Sequence, residues 1–237
     1  PCGLFCLYCW CMQYLGGKKS IAKELAAVLQ SFRVEGAPFY DVFCGSCAVV
    51  AEMDGVRFAN DGNAALINMF EAWRAGWRPP QDVSFEDHAR LRIAQDPTDP
   101  VTAFVAHACS YGGMWFSTYA RDRKNGRNFA ATGARSLERT LSKCADVTFT
   151  ALDYRALTPQ RGVLIYCDPP YDGTTGYAGM PKFDTAEFWQ VAARWAETCT
   201  VLVSEYVAPS GWRGVWTRPV RKSRLAGQRV ERLFARC

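Results

Sequence analysis

The sequence predicts an α/β fold, in which helices cover a mostly parallel sheet, a hairpin closes the C-terminal end and an insert interrupts the middle of the chain. Short apolar runs alternate with segments of helical periodicity on both sides of the insert, and this alternation is typical of parallel sheets. The last two segments, GVWTRPV and RVERLFAR, alternate apolar and polar residues with no helical pattern between them. They predict an antiparallel hairpin at the sheet edge.

The N-terminal part predicts a helix followed by two strand and helix units. Apolar residues recur at helical spacing over residues 21–32, just after a glycine pair. Residues 39–43 indicate a buried strand, which leads into the small-residue turn CGSCA and then a helix or turn over VVAE. A second short strand at 56–59 precedes a helix that begins at Ala64. Consecutive units of this kind favour parallel pairing.

The middle of the chain, residues 79–143, differs in composition from the rest. Proline-containing breaks at 79–80 and 96–100 bracket the amphipathic stretch SFEDHARLRIAQ, and the residues that follow are rich in glycine, arginine, asparagine and aromatic side chains. We expect an inserted substrate-recognition region over 79–143. Residues 12–78 and 144–237 are then expected to form the main domain.

The sheet is predicted to resume after the insert. Strands are expected within DVTFTALDY, VLIYC and TVLVSEY, with a helix over EFWQVAARWAETC between the last two. The run VLIYC contains no charged residue, which indicates a strand that is buried on both faces.

Composition and charge exclude some classes of protein. Apolar residues make up 49% and charged residues 22% of the chain, and no apolar run reaches the roughly 18 residues that a membrane-spanning helix needs. The formal charge is +5, and the segments 121–143 and 218–236 each carry seven basic residues. Such clusters suit a polyanionic partner, although solvated surfaces also look like this.

The eleven cysteines fall into two groups. Four lie in the leader PCGLFCLYCWC, whose spacing differs from the paired CxxC of a zinc site, although a thiolate metal site there stays an alternative. Because Met12 opens a stretch that suits a natural N-terminus, we expect residues 1–11 to be an atypical, non-native extension. The other seven cysteines, from Cys44 onward, lie in apolar contexts. They predict reduced core cysteines, a cytoplasmic location and no metal.

The most informative motif is Asp168-Pro169-Pro170-Tyr171, which directly follows the run VLIYC. Ligands of open α/β sheets bind outside the carboxyl ends of the strands. A carboxylate, a carbonyl held by two prolines and an aromatic ring together suit a flat, poorly nucleophilic amino group, such as the exocyclic nitrogen of a nucleobase. The same four residues are also an ordinary turn sequence.

Two further acidic segments follow the first two predicted strands. Residues 41–47, DVFCGSC, end the first strand with small side chains that let a ligand approach the backbone closely. Asp61 follows the second strand, where a carboxylate can accept hydrogen bonds from the ribose hydroxyls of a nucleoside cofactor. A plain strand-to-helix turn and a helix N-cap are the competing interpretations.

Two weaker signals complete the set. Lys18, which follows Gly17 at a turn, offers a cation for a carboxylate such as the methionine end of S-adenosylmethionine, although a solvated lysine at a turn is commoner. Asp153 follows the strand-like VTFTAL and is placed to meet the adenine amino group of such a cofactor. A loop carboxylate without a ligand is the alternative.

The order of the motifs resembles that of the Dam-like DNA adenine N6-methyltransferases (α-type, D12 class), especially the short phage and prophage forms. Along the chain these motifs are GGK, the FxGxx loop, NDxN, the arginine-rich insert and DPPY. The resemblance runs from Met12 to about Arg236. The blocks that carry it are MQYLGGKKSIAKEL, FCGSCAVVAE, FANDGNAALI, WRPPQDVS, DPVTAFVAHACSYGGMWFSTYARD, LIYCDPPYDGTTGY, FDTAEFW and VLVSEYVAP. Two positions depart from the family pattern: Cys47 replaces the second glycine of FxGxG, and Val42 replaces a common proline.

The resemblance implies a Rossmann-like methyltransferase sheet with an antiparallel C-terminal hairpin and an inserted, mostly helical DNA-recognition subdomain. It implies S-adenosylmethionine as cofactor, with S-adenosylhomocysteine as product, and double-stranded DNA as partner. The implied cofactor-binding residues are Tyr14, Gly17, Lys18, Asp41, Phe43, Cys44, Gly45, Ser46, Asp61, Asn63, Asp153, Tyr154 and Asp168. The implied DNA-binding residues are Tyr111, Trp115, Tyr119, Arg121, Arg123, Lys124, Arg127, Arg135, Arg221 and Lys222.

The implied catalytic residues are Asp168, Pro169, Pro170 and Tyr171. By the resemblance, the target adenine is flipped out of the duplex. Its amino group is held by the Asp168 carboxylate and the Pro169 carbonyl, and the base stacks on Tyr171. Holding both hydrogens of the amino group aims the nitrogen lone pair at the methyl group, so that transfer proceeds by direct in-line attack.

Other functions stay open at this stage. Cys47 is in a position to crowd the methionine portion of the cofactor, which would make the chain a DNA-binding relic, and an amino-methyltransferase acting on RNA or on a protein glutamine is a further alternative. Tyr111, Trp115, Phe116 and Tyr119 are candidates to fill the gap left by the flipped base or to contact base edges, and at least half of them are expected to be core instead. GATC follows as the recognition sequence by analogy alone. We expect a monomer, and a cognate restriction endonuclease is a candidate partner.

Overall fold

The computed structural model describes residues 17–122, 124–171, 183–220 and 229–236. Within these ranges seven strands form one sheet in the order β3-β2-β1-β4-β5-β7-β6. The first five strands run parallel, and β7 pairs antiparallel with both β5 and β6. Their bounds are β1 Phe39–Asp41, β2 Arg57–Asn60, β3 Thr148–Thr150, β4 Leu164–Cys167, β5 Thr200–Ser204, β6 Arg213–Val220 and β7 Arg229–Arg236.

Helices cover both faces of this sheet. In the described ranges they are α1 Ala22–Ser31, α2 Ala64–Arg74, α3 Phe85–Ala94, α4 Pro100–Ala108, α5 Phe129–Leu141 and α6 Thr185–Trp195. Buried residues of α1 to α5 belong to one core cluster, and buried residues of α6 belong to a second cluster on the opposite face. The α/β fold with an antiparallel C-terminal hairpin, as the sequence predicts, is confirmed.

Strand β4 lies at the centre of the molecule and shows why the two clusters separate. Its four residues are all buried. Leu164 and Tyr166 pack in the cluster with α1 to α5, whereas Ile165 and Cys167 pack in the cluster with α6. Successive side chains of a strand point to opposite faces, so an uninterrupted apolar run fills both cores at once.

Polar side chains determine where most of the helices begin. Asn63, Ser84, Asp99, Asn128 and Asp184 each accept a hydrogen bond from a backbone N–H in the first turn of the helix that follows. These bonds satisfy donors that have no partner within the helix itself. The helix starts are therefore encoded locally in the sequence.

The segment after β1 contains no α-helix. Of the two alternatives that the sequence allowed for VVAE, the structure has the turn, a single 3-10 turn at Val50–Glu52. Gly45 and Cys47 adopt positive φ angles of 47° and 59°. A chain that enters the left-handed region at two nearby residues cannot propagate a right-handed helix there.

The helices of residues 79–143 do not have a core of their own. Phe104 of α4 and Leu137 of α5 belong to the same cluster as Phe39 and Leu164 of the sheet. Helices α4 and α5 approach closely at Gly133, where a Cβ atom would lie 2.6 Å from the Cβ of Ala108. The function assigned to this region stays a prediction. In the described part of the chain, no helix has the length and apolar character needed to cross a membrane.

Candidate functional site

The strand order reverses between β1 and β4, which lie side by side at the centre of the sheet. Chain connections leave the sheet in opposite directions at such a point, so a crevice opens outside the carboxyl ends of the two strands. β1 ends at Asp41, and Asp168 is the first residue after β4. The topology therefore brings the two acidic motifs of the sequence to one crevice.

A buried lysine occupies this crevice. Lys18 has 7% of its side chain exposed, and its Nζ lies 2.7 Å from Oδ1 of Asp168 and 3.6 Å from Oε2 of Glu231. Burial acts to lower the pKa of Lys18, but the two carboxylates outweigh it and the pKa is raised. Lys18 is therefore a cation at neutral pH. The sequence predicted it at a cofactor carboxylate, whereas in the structure it contacts the carboxylate of the protein's own DPPY motif.

The ring of Tyr171 is held by several groups. Its hydroxyl donates a hydrogen bond of 2.7 Å to Oε2 of Glu231. Lys18 Nζ lies 4.8 Å from the ring centroid, over the ring, and Tyr206 meets the ring edge-to-face at 4.6 Å between centroids. Each of these contacts restricts rotation of the aromatic ring. Asp168 and Tyr171 are thus tied together through Lys18 and Glu231.

Asp41 is buried at the base of the crevice, with 1% of its surface exposed. Its Oδ1 has no hydrogen-bond partner among the described residues. Burial, followed by the negative charges of Asp168 and Asp61, raises the pKa of Asp41 well above the ordinary 3.8. A buried carboxyl oxygen without a partner is uncommon in folded proteins, and it marks this position as one that suits a hydrogen-bond donor.

Asp61 organises the loops around the crevice. Its Oδ2 accepts from the backbone N–H of Gly45, and its Oδ1 accepts from that of Asn63, both at 2.9 Å. Asn63 in turn caps α2 by accepting from the N–H of Ala65. The alternative role as a helix N-cap therefore falls to Asn63, two residues later. Each oxygen of the Asp61 carboxylate can accept a further hydrogen bond.

Cys47 lies in the left-handed region, which explains why glycine is usual at this position of the motif. An L-residue in this conformation costs roughly 1–2 kcal/mol relative to the right-handed one. The Cys47 side chain is fully buried and packs in the core cluster with α1 to α5, next to Cys44. The cysteine that replaces the usual glycine therefore strains the backbone, and the thiol of Cys47 points into the core.

The side chain of Asn60, for which the sequence patterns predict no role, joins three loops of the site. Its amide nitrogen donates to the backbone carbonyls of Val42 and Leu152, and its Oδ1 accepts from Thr150 Oγ1 and from the N–H of Leu152. All of its hydrogen-bonding capacity serves the ends of β1, β2 and β3. A polar residue at the end of an otherwise apolar strand was the available signal.

Asp153 is exposed, and its carboxylate forms an ion pair with a neighbouring residue. Arg155 binds it with two nitrogens, Nε at 2.8 Å and Nη2 at 2.6 Å. An acceptor role toward a cofactor amino group must therefore share the carboxylate with this guanidinium. Tyr154, the next residue, is buried in an aromatic group that includes Phe43 and Phe188.

The aromatic residues of the insert divide by burial. Tyr111 is 71% exposed. Phe116 is buried, and Trp115 and Tyr119 pack against the same core, where Trp115 donates to Gln95 Oε1 and Tyr119 donates to the carbonyl of Val83. One of the four rings is buried in the core and two pack against it while partly exposed, which agrees with the expectation that at least half are core. Tyr111 is the most exposed of the four.

A basic groove borders Tyr111. It is lined by Tyr111, Gly112, Ala120, Arg121, Asp122, Lys124, Arg127 and Phe129. Arg121 lies over the rings of Phe85 and Tyr119 at 5.0 and 5.1 Å, and Arg127 lies over Phe129 at 4.9 Å. Stacking holds these guanidinium groups on aromatic rings at the surface, which suits contact with phosphates.

Some of the remaining predicted residues lie within the described ranges, and others lie outside them. Arg135 is exposed on α5, while Cys44 is buried beneath the loop after β1 and Ser46 is partly buried in that loop. Tyr14, Arg123, Arg221 and Lys222 lie outside the described residues. The same is true of the leader cysteines, and within the described ranges no three metal-ligating side chains form a group.

The fold defines an α/β protein whose acidic DPPY motif lies beside a crevice at the switch point of its sheet. The family model of the D12 class N6 adenine-specific DNA methyltransferases matches residues 14–85. That segment contains Lys18, the loop after β1 and Asp61, so the resemblance inferred from the motifs is confirmed there.

A solved structure of SMU.472, a proposed methyltransferase complexed with SAH, is also similar. The similarity covers 92% of this chain and 53% of that one, at 18% sequence identity and a TM-score of 0.37. The chain therefore spans about half the length of that protein.

The buried Asp41 generates a prediction on pH. Its raised pKa means that, above pH 3.8, the folded protein keeps a proton that the unfolded chain has lost, so stability falls as pH rises from about 4. Asp41→Asn removes this titration. In thermal unfolding, we expect the melting temperature of the variant minus that of the parent protein to be larger at pH 8 than at pH 5. An equal difference at the two pH values would contradict the raised pKa.

Proposed function

We propose that this protein transfers a methyl group from S-adenosylmethionine to the N6 amino group of adenine in DNA. The observation that carries the proposal is the position of Asp168–Tyr171 directly after the central strand, beside Lys18 and the segment that matches the adenine-specific methyltransferase family. The reaction requires a site for a flat amino group next to a nucleoside cofactor site. The segments that we assign to these two sites, Asp168–Tyr171 and the loops after β1 and β2, follow neighbouring strands of the sheet.

The chemistry of the crevice suits the cofactor. S-adenosylmethionine supplies, when bound, an electrophilic methyl group on a positively charged sulfur. Asp41 is buried and Asp61 and Asp168 are partly buried here, and because burial raises the pKa of each, a bound cation would favour their ionised forms. Asp61 is the acceptor that we assign to the ribose hydroxyls, and the Oδ1 of Asp41 is an acceptor for a donor of the bound molecule.

Asp168 and Pro169 are the groups that we assign to the target base. The exocyclic nitrogen of adenine is a poor nucleophile because its lone pair is delocalised into the ring. When a carboxylate oxygen and a main-chain carbonyl each accept one of its hydrogens, the lone pair is localised and directed. Lys18 binds Oδ1 of Asp168, so Oδ2 is the oxygen that we assign to the amino group. Tyr171 supplies the surface on which the base stacks.

The basic groove is the surface that we assign to DNA. A duplex adenine reaches the crevice only after it is flipped out, at a cost of a few kcal/mol. Arg121, Lys124 and Arg127 line the groove and would offset part of this cost by binding phosphates. Tyr111 is the exposed ring that we assign to contact with the bases.

Finer features of the proposal follow from the family resemblance. We propose a site-specific enzyme that acts on double-stranded DNA as a monomer, with a function in restriction and modification or in protection of a phage genome. Because the cysteines that the structure describes are free and buried, the proposal includes a cytoplasmic location. Sequencing with modified-base detection of DNA from cells that express the protein will identify the methylated sequence.

The activity is tested by incubation with tritiated S-adenosylmethionine and plasmid DNA from a host that lacks adenine methylation. We expect label in N6-methyladenine after digestion to nucleosides. RNA and bulk protein serve as parallel substrates, and label in either one but not in DNA would favour the amino-methyltransferase alternative. Failure to label any of the three would refute methyl transfer.

Asp168→Ala tests the assigned catalytic role. We expect the rate of methyl transfer to fall by at least about 100-fold, because an acceptor of the amino group is lost, while DNA affinity changes little. Single-turnover labelling and a DNA-binding titration measure the two quantities. Asp54→Ala, which removes an exposed carboxylate of the same type, is the control. A fully active Asp168→Ala variant would refute the assignment.

Cys47→Gly separates a working cofactor site from an impaired one. Because the thiol is buried in the core, we expect calorimetry to give a dissociation constant for S-adenosylmethionine within about threefold of the parent value, a difference below about 1 kcal/mol. Cys109→Ala, at another buried thiol, is the control. Binding that becomes more than about tenfold tighter in the glycine variant would mean that Cys47 crowds the cofactor, as the relic interpretation requires.

The double change Arg121→Ala and Lys124→Ala tests the groove. We expect weaker DNA binding and a smaller salt dependence, whose slope falls by about one unit for each phosphate that the variant no longer neutralises. Fluorescence anisotropy at several salt concentrations measures the slope. Arg90→Ala removes an exposed arginine of α3 outside the groove and is the control. A slope equal to that of the parent protein would place the DNA elsewhere.

A further inference from the structure

Glu231 is a carboxylate of the C-terminal hairpin that reaches into the crevice. It lies on β7, and its side chain is 17% exposed. Its register partner on β6 is Arg218, but Arg218 forms its ion pair with Glu24 of α1. Glu231 instead contacts Tyr171 and Lys18. Strand β7 therefore contributes a charged group to the site beside Lys18 of the N-terminal segment and the residues that follow β4.

The distances place Lys18 between two carboxylates. Its Nζ is 2.7 Å from Asp168 and 3.6 Å from Glu231. The Tyr171 hydroxyl is 2.7 Å from the same Glu231 oxygen, Oε2. One oxygen of Glu231 thus serves both the stacking ring and the cation that pairs with Asp168.

We propose that Glu231 is a positioning residue for the target adenine, an inference that rests on the proposed function. It fixes the ring of Tyr171 by accepting the hydrogen bond from its hydroxyl. A ring held in this way presents a constant face to the base. Preorganisation of such a surface favours transfer because the reacting nitrogen must lie within a fraction of an ångström of its productive position.

The second contact of Glu231 acts on Asp168 through Lys18. A carboxylate in a tight pair with a single cation is a weaker acceptor for another donor, since its negative charge is largely compensated. Glu231 shares the charge of Lys18 and so leaves more negative charge on Asp168. Asp168 is then a better acceptor for the amino group of adenine.

A positioning role and a purely structural role of Glu231 predict different effects on stability and on rate, and the effects expected from positioning are as follows. Lys18 stays paired with Asp168 when Glu231 is replaced by glutamine, and the amide oxygen can still accept from Tyr171. The fold therefore loses little, and we expect the melting temperature to change by no more than about 4 °C. The rate of methyl transfer should respond much more strongly than stability.

The experiment compares Glu231→Gln, Glu231→Ala, Tyr171→Phe and the double variant Glu231→Ala with Tyr171→Phe. Single-turnover transfer from tritiated S-adenosylmethionine is measured on plasmid DNA that lacks adenine methylation, and calorimetry gives the cofactor dissociation constant. Glu71→Gln, which removes a solvent-accessible carboxylate paired with Arg74, is the matched control. We expect the control to transfer at the parent rate.

We expect Glu231→Ala and Tyr171→Phe each to slow transfer by about 10-fold, with cofactor affinity within about twofold of the parent value. Because both changes remove the same hydrogen bond, the double variant should be little slower than the worse single variant. Glu231→Gln should lie between the parent and the alanine variant, since it keeps an acceptor but loses the charge.

Several outcomes would overturn the inference. A Glu231→Ala variant that transfers methyl groups at the parent rate would exclude a role for the residue. If the effects of the two single variants multiply to about 100-fold in the double variant, the two side chains act independently. A loss of rate accompanied by an equal loss of cofactor affinity or by a large fall in melting temperature shows a structural role. An inactive parent protein would instead refute the proposed function.

Discussion

The ion pair between Lys18 and Asp168 is the interaction on which the site depends. It joins a residue that precedes α1 to the residue that follows β4, 150 positions later. Both partners are largely enclosed, and removal of one partner of a buried pair typically costs about 3–5 kcal/mol, because the other charge is left uncompensated. With Glu231 as a third member, the pair brings the N-terminal segment, the central strand and the C-terminal hairpin to one point of the sheet.

The opposite side of the crevice is held by hydrogen bonds that polar side chains form, mostly with backbone groups. Asp61 and Asn60 accept or donate hydrogen bonds at the ends of three strands, so that the loops after β1, β2 and β3 form a single unit. The positive φ angles of Gly45 and Cys47 bring the chain back beneath this unit. The two sides are therefore held by different interactions. Ion pairs hold the side at β4, whereas hydrogen bonds between side chains and the backbone hold the side at β1.

The parts of the fold that local patterns encode were predictable. The apolar run of β4, the alternation in the hairpin and the helical periodicity of α1, α2 and α6 all act over a few residues, and the strands and helices they predict are in the structure. The position of Asp41 and Asp168 at the carboxyl ends of their strands was also predictable. Their meeting at one crevice depends on the strand order, which places β1 beside β4. Side-chain partners were not predictable: Asp153 pairs with Arg155, and Lys18 pairs with Asp168.

The sequence by itself determined the α/β class, the position of the DPPY motif after a buried strand and the family that the segment 14–85 matches. These depend on residue types in a fixed order along the chain. Only the tertiary structure decided that Lys18 binds Asp168, that Glu231 supports Tyr171 and that the Cys47 thiol points into the core. Such contacts join residues far apart in sequence, and their distances depend on how the whole sheet twists and packs. No local pattern contains that information.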